Sequence, residues 1–565
     1  MIEHLFFITY IYVFLISTIG YGILFSRIFV KRFLQINIGY LGIIGFFTLS
    51  VYSILSSFFL AHNQIHNIII HFIGIISFVA FFFNKKKKLK ELKFLLIITT
   101  LLIIGAYVFK NHDDFPYYHL TYSLNLTENR FIIGTGIFSH GFRTFSSLFY
   151  YHSLLYMPFI KFYLFHIGPF FILVFFNCVI INKIKEIKDL NKIDFIYYFS
   201  LLSLIFVNVV FYRIGEHGTD RSSQILLLLI FIIFFELILL KLDSENILVK
   251  VNLLILIILL SSSIKAIYYL YFLIVPILFL NKKIFINYFK NFNFALSFIF
   301  FLSIFLNLLT YYFNTGCLLY PAKFTCVGDP IWQLPLKQVE LMKIHYEWWA
   351  KAGGGAGYAS DIPKEDYVEN FIWFSNWIER HFFNKVSDTL FGIIFICILL
   401  LVVLKSFSKR KNKLKKIPIY IYLIPLFFLF EWFLNHPTMR YGGYVLFAIP
   451  LFMLTASYAS KHLLSIKKVT KITLFFIMIS ILIFNVRNVV RINKEANVYG
   501  YNIIKSPFFF VENIKSKIIY DKNNFKVYTT EDGNMCWAVK TPCSYYNKVK
   551  VVKFLWMNVV LPDAK

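Results

Sequence analysis

Apolar runs long enough to cross a bilayer recur along the whole chain, and no other feature constrains its fold as much. They lie near 5–26, 37–60, 65–83, 94–109, 165–181, 193–212, 223–241, 248–263, 264–280, 293–313, 385–404, 417–434, 444–460 and 472–487. A hydrocarbon core of roughly 30 Å takes about 20 apolar residues per helix, so the pattern predicts an all-α polytopic membrane protein with about 14 spans. A helix pairs its backbone groups within itself, which a segment surrounded by lipid requires. Charged residues make up 15% of the 565 against 59% hydrophobic, where a soluble protein carries about 25% charged. Such a chain could not clothe a soluble surface in polar groups, and a soluble enzyme is excluded.

The 57 Lys and Arg against 29 Asp and Glu leave a formal charge of +28. In a soluble protein that excess would point to nucleic acid. Here the cations gather in short connections between apolar runs: Arg27, Lys31 and Arg32; Lys85 to Lys88; Lys183, Lys185, Lys188 and Lys192; Lys282 and Lys283; Lys409, Arg410 and Lys411; Lys461, Lys467, Lys468 and Lys471. Connections 61–67, 213–222 and 435–443 alternate with them and are cation-poor. The positive-inside rule places the first set in the cytoplasm and the second outside, with both termini outside. The first run lacks a basic n-region and a small-residue cleavage site, so it does not read as a cleavable signal peptide. The excess is therefore a topology signal, and the expected partner is the lipid bilayer rather than nucleic acid.

Three regions follow. Residues 1–93 are N-terminal membrane helices, and 94–487 form a membrane core with outer loops 110–147 and 314–384. Residues 488–565, more polar and with strand-like patches at Phe525–Thr529 and Lys548–Phe554, predict a small extracytoplasmic α/β module. Cys317 with Cys326 and Cys536 with Cys543 fall in these outer regions, close enough to pair, and disulfides persist outside the cytosol. Cys178 and Cys397 sit inside apolar runs as small buried hydrophobes.

Ionisable residues are scarce in the outer connections and hence informative. The fourth run ends in Asn111-His112-Asp113-Asp114-Phe115-Pro116-Tyr117-Tyr118-His119. Adjacent carboxylates flanked by His112 and His119 can take a proton from an attacking hydroxyl. They can also hold a divalent cation through hard oxygen ligands. A solvated helix end with a turn at Pro116 is the plain alternative. The stretch that follows reads as a loop and an interfacial helix lying on the membrane. A second connection, 213–221, packs Arg213, Glu216, His217, Asp220 and Arg221 between two apolar helices, either as mutual ion pairs or as a binding site. A third carries His436, Arg440 and Tyr441. Its arginine suits phosphate, which a planar guanidinium meets bidentately; an interfacial Arg/Tyr anchor is the alternative. Lys265, after Ser261-Ser262-Ser263, is either a snorkelling lysine or a further phosphate ligand. The long loop carries Trp348-Trp349, the run Gly353 to Gly357 and the amphipathic stretch Phe371–Phe383, and its glycines form either a loosely packed surface segment or a mobile lid.

The acidic pair after an early helix, the juxtamembrane segment Phe145–Tyr163 and the late Arg440-Tyr441 followed by Pro450 resemble the GT-C superfamily of polytopic glycosyltransferases. Three helices precede the acidic loop where many members have one, and Asp-Asp-Phe-Pro stands in place of a strict Asp-x-Asp. The resemblance implies a bacterial inner-membrane enzyme with its site facing the periplasm or exterior. It would transfer a sugar from a polyprenyl-phosphate donor to a glycan, lipid or protein acceptor. Asp113 or Asp114 would be catalytic, acting on the acceptor hydroxyl directly or through magnesium or manganese. Arg440, Arg213, Arg221 and Lys265 would bind the donor phosphate. His112, His119, Glu216, His217, Asp220, His436 and Tyr441 would line the substrate site. An O-antigen polymerase or ligase would rely less on the acidic pair. A lipid or glycan flippase would place its ionisable groups at mid-membrane, often with internal repeats, and no repeat is visible.

Overall fold

The computed structural model describes residues 2–83, 86–108, 114–189, 193–215, 218–354, 361–407, 410–411, 417–531, 533 and 535–562. Among these, nine helices are long and apolar enough to cross a membrane: Ile2–Phe29, Ile38–Ser57, Gln64–Phe82, Ile167–Lys188, Thr219–Leu239, Ser244–Ile264, Phe294–Thr315, Trp373–Phe407 and Ile466–Tyr499. A tenth arises if Ala266–Phe279 and Lys282–Lys290, bent by 101°, are taken as one span. Of the expected count of about 14, nine or ten are thus supported among the described residues. The remaining runs are helical but short: Lys86–Leu102, Ile419–Asn435 and Gly443–Ala459 have 17 residues each and Phe195–Val210 has 16. At 1.5 Å per residue the shortest reaches about 24 Å, less than a hydrocarbon core of roughly 30 Å. Apolar composition marks where a helix forms but not how far its ends extend.

Burial orders the helices. Ile167–Lys188 and Thr219–Leu239 are 89% buried and form the centre. Trp373–Phe407 is 22% buried and shows Phe391, Phe395, Ile398 and Val402 at the surface. An outer face this apolar suits lipid and not water. Ile2–Phe29 and Ile38–Ser57 cross closely enough that a Cβ on Gly22 would strike the Leu41 carbonyl, and one on Gly45 that of Thr18. Glycine there lets backbones touch, a common device between membrane helices.

The basic connections meet at one end of the bundle. Arg32 pairs with Glu245 at 2.5 Å, and Lys88 donates to the Ile36 carbonyl at 2.6 Å and to Glu91 at 3.0 Å. Glu236 lies buried between Lys183 at 2.5 Å and Lys250 at 2.8 Å. Lys283 donates to the Leu242 carbonyl at 2.7 Å, and backbone 410–411 pairs with 462–463. Asparagines and aspartates restart the chain here: Asn37, Asp194, Asp243, Asn281 and Asn293 each cap the first turn of a helix through a side-chain oxygen, satisfying donors the helix leaves open.

The opposite end carries the long loops. The expected interfacial helix is corrected: the helical part is Ser147–Ser153, seven residues, all buried. It sits inside the bundle because polar groups tie it there, Ser147 to Ser263 at 2.8 Å and Ser153 to His62 at 2.7 Å. The last helix runs through the expected boundary at 488 to Tyr499. Beyond it the C-terminal part is β rather than α/β. Two separate antiparallel hairpins are formed, Ser516–Lys522 with Phe525–Thr530 and Lys550–Phe554 with Met557–Leu561. They pack onto the first outer loop: the Ile133 N–H donates to the Asn558 carbonyl at 2.9 Å, and the Val560 N–H to that of Ile133 at 2.8 Å. The Trp537 N–H donates to the Pro116 carbonyl at 3.0 Å. Cys317 is bonded to Cys326 and Cys536 to Cys543, while Cys178 and Cys397 are buried free thiols.

Candidate functional site

At the loop end, helix termini that are distant in sequence open into one cavity of about 870 Å³. Each wall places its ionisable group by a local break in regular structure. Asp114 immediately precedes the turn Phe115–His119, with Pro116 at its start. Asp220 lies in the first turn of Thr219–Leu239, where the helix dipole favours an anion. Lys265 is the extended residue, φ −150° and ψ 120°, that ends Ser244–Ile264 before the chain re-forms as Ala266–Leu273. Arg440 lies in the turn Met439–Tyr441, which is closed by Gly442 at φ +115°, a conformation that favours glycine.

These four meet. Arg440 Nε donates to Asp220 Oδ2 at 2.8 Å, and its Nη2 lies 3.7 Å from Asp114 Oδ2. Lys265 Nζ pairs with the other Asp220 oxygen and sits 4.0 Å from the centre of the Tyr441 ring. The Trp349 ring lies 5.0 Å from the Arg440 guanidinium and 6.1 Å from Tyr441. One carboxylate thus holds two cations, each also stacked on an aromatic face, with a second carboxylate at the edge. Burial opposes the charge on Arg440, but Asp220, Tyr441 and Asp114 outweigh it and its pKa is raised. Lys265 is lowered to about 8, by burial first and by Arg440, against the pull of Asp220. Burial, with Asp114 nearby, raises the Tyr118 hydroxyl well above its ordinary value.

The Arg440 turn is fixed from behind. Gln224 Nε2 donates to the carbonyls of Met439 at 3.4 Å and Arg440 at 3.2 Å, and Gln224 Oε1 accepts from the Val445 N–H at 3.4 Å. Trp377 Nε1 donates to the Pro437 carbonyl at 2.6 Å, and Trp432 Nε1 to that of Thr438 at 3.1 Å. Asp220 and Gln224 are four residues apart, so one helix face both pairs with the arginine and carries its turn.

Of the residues expected at the site, Asp114, His119, Arg213, Asp220, Arg221, Lys265, His436, Arg440 and Tyr441 line this cavity. His112, Asp113, Glu216 and His217 lie outside the described residues. The Lys265 ammonium is engaged by Asp220 rather than reaching out to water. Asp220 pairs with Lys265 and Arg440 from other connections, rather than with the arginines of its own turn. Arg213 lies 3.6 Å from Glu495 of the last helix, and His436 Nε2 3.4 Å from Glu431. Sequence reasoning missed Gln224 and did not place Trp349 against the arginine. A lone glutamine four residues after Asp220 inside an apolar run was the available signal. Among the described residues no three His, Cys, Asp or Glu side chains converge as on a metal ion, and Asp114 faces a guanidinium.

The chain belongs to the family described as "Domain of unknown function (DUF8201)", which matches residues 4–447. That span includes Asp114, Asp220, Lys265 and Arg440, and ends before the last helix and the C-terminal hairpins. No curated protein and no solved structure matches the chain.

Proposed function

We propose that this family member is a membrane glycosyltransferase of the GT-C kind, moving a sugar from a polyprenyl-phosphate donor to a glycan, lipid or protein acceptor. The observation that carries the reading is the convergence of Asp114, Asp220, Lys265 and Arg440 on one cavity at the bundle end opposite the basic connections. By the positive-inside rule that end faces the exterior, in keeping with a bacterial inner-membrane enzyme.

The geometry suits a phosphate leaving group. Arg440 and Lys265 are oriented in advance by Asp220 and by the rings of Trp349 and Tyr441. Donors already in place stabilise charge that develops during reaction without having to reorganise. A donor phosphate entering between them would share the cations with Asp220, and Arg221 and Arg213 on the same wall would add positive field. Asp114 stands on the other side of Arg440. There it can accept the proton of an acceptor hydroxyl as that oxygen attacks the sugar carbon and the phosphate departs. Tyr118, kept protonated, and the Trp349 face supply the polar and aromatic surfaces that sugars use.

The test is the Asp113→Asn/Asp114→Asn double variant, checked for insertion by the yield of full-length protein in membranes. Lipid-linked sugars should accumulate and the glycosylated product disappear. An inserted variant with an unchanged glycan and lipid-sugar profile would refute the catalytic role.

A further inference from the structure

A second hollow, of about 320 Å³, adjoins the main cavity and shares His140 and His345 with it. Its remaining lining is Arg143, Lys364, Gln338, Leu341 and Met342, with no carboxylate. Arg143 is 3% exposed. Its Nε donates to the Gly136 carbonyl at 2.8 Å and its Nη1 to the Tyr320 hydroxyl at 3.5 Å, while Nη2 donates to nothing among the described residues. Lys364 Nζ lies 3.2 Å from His345 Nδ1 and 4.7 Å from the centre of the Trp348 ring. His140 Nδ1 shares a hydrogen bond of 2.5 Å with the Tyr117 hydroxyl. Arg143, Lys364 and His140 are thus held by neutral partners and His345 lies against the Lys364 ammonium, and none of the four pairs with a carboxylate among the described residues. The nearest acids on the helix Leu336–Lys351 are taken: Glu340 by Lys323 at 2.8 Å and Glu347 by Lys351 at 2.7 Å.

Taking a guanidinium out of water without an anion is unfavourable, and it is tolerated where an anion is to be bound. The contrast with the main cavity is direct: there Asp220 satisfies the arginine, whereas here no acid does. We propose that this hollow binds the anionic group, carboxylate or phosphate, of the acceptor, so that the acceptor is an acidic glycan rather than a neutral one. The acceptor role rests on the glycosyl-transfer reading above; anion binding itself does not. With the anion on Arg143 and Lys364, the glycan passes between His140 and His345 into the cavity where Asp114 lies.

The experiment uses the full chain in phosphatidylcholine nanodiscs, with glucuronic acid, glucose 6-phosphate and glucose as probes in saturation-transfer NMR. At least one acidic probe should bind about tenfold more tightly than glucose, the scale of one charge-assisted hydrogen bond. Which acid binds better tells carboxylate from phosphate. Arg143→Gln should abolish the preference. Should that buried change prevent folding, the exposed Lys364→Gln should weaken it, while Lys553→Gln on the last hairpin leaves it intact. Equal binding of glucose, or an unaltered preference in the Lys364→Gln chain, would overturn the proposal. Loss of acidic-probe binding when phosphatidylglycerol replaces phosphatidylcholine would overturn it too, by giving the hollow to a lipid headgroup. Binding that persists beside an unchanged glycan profile in the Asp113→Asn/Asp114→Asn chain would sink the transfer reading alone.

Discussion

Replacing Asp220 with asparagine keeps the shape of the side chain and removes the one negative charge that holds Arg440 and Lys265 together. The Asp220 side chain is 14% exposed, Lys265 21% and Arg440 32%. The pair is more buried than a surface ion pair, which is worth about 0–1 kcal/mol. It is wetter than a sealed interior pair, whose rupture costs about 3–5 kcal/mol. Asp220→Asn should therefore destabilise the chain by about 3 kcal/mol at pH 7, the low end of the buried range. Two features limit the loss. Asp114 still stands 3.7 Å from Arg440, and Lys265, already lowered to about 8, can escape by losing its proton. Because its folded pKa lies below the ordinary 10.5 of a lysine, the unfolded chain holds the proton longer. Removing Asp220 takes away the pull that raises this pKa, so the variant sheds the buried proton at a lower pH than the parent, and its extra penalty fades as pH rises toward the parent's value of about 8. The destabilisation by Asp220→Asn should thus shrink between pH 7 and pH 9.5.

The assay is equilibrium unfolding in mixed SDS micelles followed by tryptophan fluorescence, at both pH values. A double-mutant cycle with Lys265→Met isolates the pair: removing cation and anion together should restore about 1–2 kcal/mol of the loss. An Asp220→Asn chain within about 0.5 kcal/mol of the parent, the range of an ordinary surface substitution, would refute the claim that this carboxylate organises the site. So would a penalty that grows with pH.

Gln224→Leu should cost about 2–3 kcal/mol, because the Met439 and Arg440 carbonyls lose their side-chain donor and the Val445 N–H one of its two acceptors; the same unfolding assay reads it, and no change would mean the turn is held by Trp377 and Trp432 alone. Glu236→Gln, at the other end of the bundle, leaves Lys183 and Lys250 buried without their anion and should cost about 3–5 kcal/mol. Full-length protein recovered in that variant should keep its glycan profile, since Glu236 lies at the bundle end opposite the cavity; a lost profile would contradict the separation of the two ends.

The cationic turns were legible because topology is written in local composition: Lys85 to Lys88 or Lys282 and Lys283 follow an apolar run whatever the helices pack against. The site was legible in kind for the same reason. Arg440 and Asp220 stand out as ionisable residues at the outer ends of apolar runs. Their pairing was not legible, since 220 positions separate them and the register of one helix end against another is set by packing. Nine of the thirteen expected site residues line the cavity, and the other four lie outside the described residues. Arg143 escaped notice as a binding group because its burial depends on Gly136, Tyr320 and the helix Leu336–Lys351, all supplied by the fold.

By itself the sequence determined that this protein is a helical bundle in a membrane, with basic connections on one side and scarce ionisable residues on the other. Water and lipid sort residues by polarity alone, and polarity is local. The tertiary structure decided which apolar runs are long enough to span, and buried the expected interfacial helix. It also shared one Asp220 carboxylate between Arg440 and Lys265, and left Arg143 in a hollow with no acid. Those outcomes depend on distances between groups far apart in the chain, and electrostatics and hydrogen bonding act over a few ångströms of space rather than along the sequence.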